Sequence, residues 1–202
     1  MKVMKHLLII LALPFLSFVK MKDSSTDFDG KLDKLVTSFK QNIFNKQKCD
    51  SCSAAAKNIA SDIQDVLDDG GMEKSEIKKM EALKKEADAL ENYISAVGDL
   101  DGGFSTVADL NLANTRVQGN ISNETGKFCT DIISVTIGDY ICYLAENNTS
   151  KIISVNYRWK DESGTNSSSG TVKVFANSIR AMYSNREKPK VNKVEFLGLN
   201  CK

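Results

Sequence analysis

The spacing of apolar residues changes period once along this chain, near residues 98–119, and that change constrains the fold more than any other feature. Upstream, apolar positions recur every three or four residues, the repeat of one helix face. Downstream they recur every second residue, the repeat of a half-buried strand. Helices first and strands second give an α+β fold with the two kinds of element segregated.

In the first half, Phe28, Leu32, Leu35, Val36, Phe39 and Ile43 form an apolar stripe that predicts a helix over 26–48. Ala56, Ile59, Ala60, Ile63, Val66 and Leu67 predict a second over 53–68, capped by Ser51 or Ser53 and ended by Gly70-Gly71. Met80, Leu83, Ala87, Leu90 and Ile94 predict a third over 73–97, with a coiled-coil-like seam. Short connections make these antiparallel neighbours, so residues 22–97 read as a helical domain, a bundle or hairpin of about three helices.

Residues 98–114 are glycine-rich and read as a linker, with a helical turn near Val107 to Leu112. Residues 115–202 read as a β domain, a small antiparallel β-sandwich or open barrel. Its strands are expected at 117–121, 128–137, 140–145, 153–160, 171–176 and 191–199, with 161–170 as a hairpin tip. Each half has apolar faces enough for a core of its own. One merged core, with helices laid over the sheet, is the rival arrangement.

Lys2 and Lys5 precede an apolar run from Leu7 to Leu16. That run is too short to span a bilayer and fits a signal peptide over 1–17, which places the chain in a secreted or extracytoplasmic setting. The single histidine, His6, lies in that segment. A histidine-based triad or zinc site is therefore excluded from the remainder. With 27 basic and 26 acidic side chains, no global charge excess points to nucleic acid.

All five cysteines, Cys49, Cys52, Cys129, Cys142 and Cys201, lie beyond the signal segment. In an oxidising compartment two bridges and one leftover thiol are expected. Cys49 and Cys52 sit at an expected helix junction, where they can close on each other or reach the β half. A redox CxxC and a zinc site from Cys49, Cys52, Cys129 and Cys142 are weaker readings, because neither has its usual surroundings. Cys201 can tether the last strand or pair between chains. Five sequons, at Asn120, Asn123, Asn147, Asn148 and Asn166, fall in the strand half and make glycosylation an expectation.

Asp65, Asp69, Glu73 and Glu76 echo a calcium loop, but Leu67 replaces an oxygen ligand, so no metal and no cofactor are expected. Arg180, Arg186, Lys188, Lys190 and Lys193 surround Met182 and Tyr183 and form a candidate surface for an anionic ligand. No GxSxG or other catalytic set is visible. The sequence thus favours a secreted, disulfide-stapled, non-enzymatic binding protein, with a helical spacer and β-domain recognition loops. Its partner would be an extracellular protein, a glycan or a membrane surface, and disulfide-linked or helix-mediated self-association is open. A membrane-active protein, pore-forming or lipid-binding, is the alternative, ahead of a secreted enzyme.

Overall fold

The computed structural model describes residues 24–104, 106–191 and 193–202. The expected signal peptide, 1–17, lies outside them. Four helices are followed by two antiparallel sheets, so the α+β expectation holds.

Helix α1 spans Ser24–Asn42, α2 spans Lys46–Asp69 and α3 spans Lys74–Tyr93. Helix α2 starts a full two turns before the expected 53. Its N-cap is Asn45, whose side chain accepts from the Lys48 N–H. Cys49 and Cys52 are therefore inside the helix rather than at a junction. Gly70 and Gly71, both with positive φ, end α2 as expected. Glu73 and Glu76 form the capping box of α3, which occupies both with backbone N–H groups. Among the described residues no group of three or more His, Cys, Asp or Glu side chains is placed to hold a metal ion.

The π-helical turn Ile94–Asp99 continues α3 and ends at Leu100, which has φ of 64°. A two-residue strand β1, Gly103–Phe104, and helix α4, Val107–Val117, follow. The stretch expected as a linker is thus mostly structured, and the expected single turn is an 11-residue helix. Thr106 caps its start, and Leu110, Ala113 and Val117 are its buried stripe. Arg116 pins α4 to the other helices, through Glu86 at 2.7 Å, Asp33 at 2.6 Å and Asp29 at 2.5 Å.

The strands are β2 Asn120–Glu124, β3 Asp131–Ile137, β4 Tyr140–Asn147, β5 Ile153–Asp161, β6 Ser167–Val174, β7 Ser178–Ser184 and β8 Val194–Cys201. One sheet has the order β1-β7-β4-β3-β2 and the other β6-β5-β8. Strand β7 lies in a stretch where no strand was expected. Met182 is the extra residue of a bulge there, since Tyr183 pairs with Tyr143 and Ala181 with Leu144. The bulge breaks the alternation that would have marked the strand.

The larger sheet is the middle of three layers. Leu32, Phe39, Ile63 and Leu90 of the helices share one core with Ile133, Val135, Leu144 and Ile179 of that sheet. Ile132, Tyr143 and Ala145 face the other way and pack with Val155, Trp159 and Phe196 of the smaller sheet. Strand β4 is buried on both faces, which is why YICYLA reads as an unbroken apolar run. The helices therefore do not close a core apart from the sheet. Tyr140 donates to the Val97 carbonyl, and Phe44 stacks edge-on to Tyr140 at 5.5 Å.

A disulfide joins Cys129, just before β3, to Cys201 at the end of β8, with a Cα–Cα distance of 5.9 Å. It clamps one sheet to the other. Cys49, Cys52 and Cys142 are buried thiols, so the second expected bridge is absent. With Cys129 bridged, the four-cysteine zinc arrangement is not formed. Cys201 is paired within the chain rather than between chains.

Candidate functional site

A cleft of about 450 Å³ opens where the start of α2, the end of the π turn and the two sheets meet. Three local exceptions converge there. The chain leaves α3 through a π turn, an arrangement that costs hydrogen-bond geometry and recurs at functional sites. Leu100 is held in the left-handed region, which a branched side chain rarely adopts. Both Asp101 and Gly102 donate to the Ser95 carbonyl and so fix this bend, at 3.1 and 3.2 Å.

The third exception is chemical. Asp99 is only 7% exposed, and its Oδ1 is buried without a hydrogen-bond partner. Burial, with Asp50 and Asp101 adding to it, pushes the Asp99 carboxyl up to about 7, against the opposing pull of Lys46 and Arg186. Tyr183 lines the same cleft, and its hydroxyl is also buried and unpartnered. Burial pushes that phenol up to about 12, so it stays a donor.

The cleft has a basic rim. Arg186 donates to the Ile43 carbonyl at 3.2 Å and to the Cys49 sulfur at 3.6 Å. Among the described residues it forms no ion pair with a carboxylate. Lys188 sits over the Trp159 ring at 5.5 Å and donates to Asn166 Oδ1 at 3.3 Å. Lys46, from the first turn of α2, reaches Asp101 at 2.8 Å and Asp50 at 3.0 Å.

Of the five basic residues singled out in the sequence, the fold brings Arg186 and Lys188 together. Arg180 points elsewhere, donating to the Asp101 carbonyl at 3.2 Å and lying over Phe175 at 5.7 Å. Lys193 pairs with Glu162 at 3.6 Å, and Lys190 is exposed on the loop after β7. Lys46 and Asp99 were missed. They lie 140 and 87 residues from Arg186 in sequence, and no local pattern marks them.

Cys49 adjoins this site as a buried free thiol. Burial pushes its thiol up to about 11 despite Arg186, and burial raises the Cys142 thiol as well. Cys52 donates to Ser38 Oγ at 3.8 Å.

The sequons differ in access. Asn120, Asn123 and Asn148 are exposed. Asn147 is 1% exposed, and its amide nitrogen donates to the carbonyls of Lys151, Val174 and Phe175 at 2.7, 3.1 and 2.9 Å. That nitrogen is the atom a glycan would occupy, and here it holds three carbonyls together. Asn166 is half-buried, and its amide nitrogen donates to Asp161 Oδ2 at 2.5 Å.

No family model, no curated protein and no solved structure matches this chain. No helix among the described residues is long and apolar enough to cross a membrane.

Proposed function

We propose that this chain is a secreted, non-enzymatic binding protein that receives its ligand in the cleft rimmed by Lys46, Arg186 and Lys188. The observation that carries the reading is one concave place lined by Lys46, Arg186 and Lys188, in which Arg186 forms no ion pair among the described residues, beside Asp99 and Tyr183, whose buried oxygens lack a hydrogen-bond partner. The loop after β7 is the recognition loop, and the helices brace the sheet that carries it. The Cys129–Cys201 bridge suits an oxidising compartment, as does the short apolar run behind Lys2 and Lys5. The partner is an extracellular small molecule or glycan.

The test has two arms. Mass spectrometry of protein exported by the source cells should find the first 17 to 20 residues removed, and an intact Met1 would refute export. A thermal-shift screen of the oxidised protein against extracellular metabolites and glycans should find a stabilising ligand whose effect is lost in R186Q/K188Q. A ligand that stabilises the double variant equally would place the site elsewhere.

A further inference from the structure

We propose that the end of the sheets where loops 148–152 and 175–177 meet is a peripheral membrane-binding surface, with Ile152 and Phe175 entering an anionic bilayer while Lys151, Lys173 and Arg180 meet its headgroups. The site is separate from the cleft and goes beyond the function proposed for it. Ile152 is 57% exposed and Phe175 52%, more than any other large apolar side chain among the described residues. The other two exposed ones stand elsewhere, Phe44 against Tyr140 and Leu197 on a bulge of β8, where Arg158 pairs with Gly198 and Trp159 with Phe196. Ile153 and Val174 are the last pair of the β5–β6 ladder, so Ile152 and Phe175 stand on adjacent chains one residue further on. Both loops are tied down. Asn147 donates to the carbonyls of Lys151, Val174 and Phe175. Asn177 donates to the Thr149 carbonyl at 3.1 Å, and the Ser178 hydroxyl to that of Phe175 at 2.8 Å. A buried amide thus holds together two loops that each present a large apolar side chain to solvent.

Charge complements the apolar pair. Lys173 pairs with Ser154, and the alternation that turns Val155 and Val172 toward the core puts that row on the outer face of the smaller sheet. Ile152 and Phe175 stand two residues beyond it, about 7 Å, which is about the depth of a headgroup layer. Lys151 is exposed beside Ile152, and the Arg180 guanidinium lies over the Phe175 ring. The carboxylates at this end of the larger sheet, Glu146 and its ladder partner Asp131, are half-buried, and Asp101, next to Arg180, is paired with Lys46. An anionic surface therefore meets exposed cations around an apolar tip, the combination that holds a protein in the interface. A second copy fits the tip less well. Two side chains bury far less than the roughly 1,200 Å² of a stable interface, and a two-fold contact would bring like charges together.

The test is co-sedimentation with vesicles. It uses oxidised protein made without glycosylation, since a glycan on Asn148, in the same loop, would hold the tip off the bilayer. Vesicles of phosphatidylcholine and phosphatidylglycerol should bind the protein saturably, and vesicles of phosphatidylcholine alone should bind it about tenfold more weakly. I152S/F175S should bind the anionic vesicles about tenfold more weakly, from the apolar area withheld from the bilayer. K151Q/K173Q should lose about twentyfold, at about fivefold per lysine near the surface. L197S, which removes an exposed apolar side chain away from the tip, should bind as the parent does. All these positions are exposed, so each variant should keep the circular dichroism and the Trp159 fluorescence of the parent. Absence of binding to the anionic vesicles would overturn the assignment. Undiminished binding by I152S/F175S would do so too, because the bilayer would then be meeting another segment. Self-association in sedimentation equilibrium that I152S/F175S abolishes would also overturn it, making the tip an interface between copies. Any of these failures leaves the cleft reading standing, since that reading is tested by a ligand whose effect R186Q/K188Q removes.

Discussion

Removing the single disulfide should loosen the whole molecule, not one half of it. Cys129 and Cys201 are 72 residues apart, and closing a loop of that length removes about 4 kcal/mol of chain entropy from the unfolded state. Native relaxation reduces the realised value, so C129A/C201A should lose about 2–4 kcal/mol. With a urea slope of about 2 kcal/mol/M, the midpoint falls by about 1–2 M. Two probes separate the layers. Far-ultraviolet circular dichroism is dominated by α1 to α4, and the fluorescence of Trp159, the only tryptophan, reports the core between the sheets. Strand β4 is a wall of both cores, so the two signals should shift together. A loss below about 1 kcal/mol would refute the magnitude. Exposure of Trp159 at a urea concentration that leaves the helical signal intact would refute the coupling of the layers.

Alkylation of the denatured, unreduced protein should count three thiols, at Cys49, Cys52 and Cys142, and a count of one would restore the second bridge. Asn147→Ala strips donors from three carbonyls, that of Val174 buried and those of Lys151 and Phe175 partly so, and should cost about 1–3 kcal/mol in chemical denaturation. Peptide mapping of glycosylated material should find Asn147 bare, whatever the occupancy of Asn120, Asn123 and Asn148. Gly98→Ala would place a Cβ 2.7 Å from Phe39 Cε2 and 3.2 Å from the Cys49 sulfur, so overpacking of about 1–3 kcal/mol is expected. The Asp99 carboxyl lies above its unfolded value of 3.8, so the folded state holds its proton longer and stability from this group falls as pH rises from about 4 to 7. D99N should therefore raise Tm at pH 8 and change little at pH 4. A fragment ending at residue 104 exposes the face that Leu144 and Ile179 cover, and should be aggregated or partly unfolded in circular dichroism. A folded, soluble fragment would show that the halves can stand alone.

The switch in period made the order of helices and strands legible, and the stripes of α1 and α3 mark faces that the structure buries. The start of α2 was hidden because KQKCDSC carries few apolar residues, while its cap is one asparagine. Helix α4 was hidden among glycines, with a stripe of only Leu110, Ala113 and Val117. Strand β7 lost its alternation to the bulge at Met182. The basic half of the cleft was legible as Arg186 and Lys188 near Tyr183. The other half was not, since the isolation of Asp99 arises from packing between layers and leaves no trace in local spacing. Asn147 shows the converse: its sequon is visible in the sequence, but its burial is not.

The most direct test of the account is amide chemical-shift mapping of the oxidised, isotope-labelled protein titrated with the ligand that the thermal-shift screen finds. The changes should concentrate at Asp99–Asp101, at Tyr183–Lys188 and at the facing Ser168 and Ser169, and they should saturate with one midpoint. Changes centred instead on the outer face of the smaller sheet, around Arg158 and Asn200, or a weak drift spread over all exposed lysines, would contradict a ligand site in the cleft.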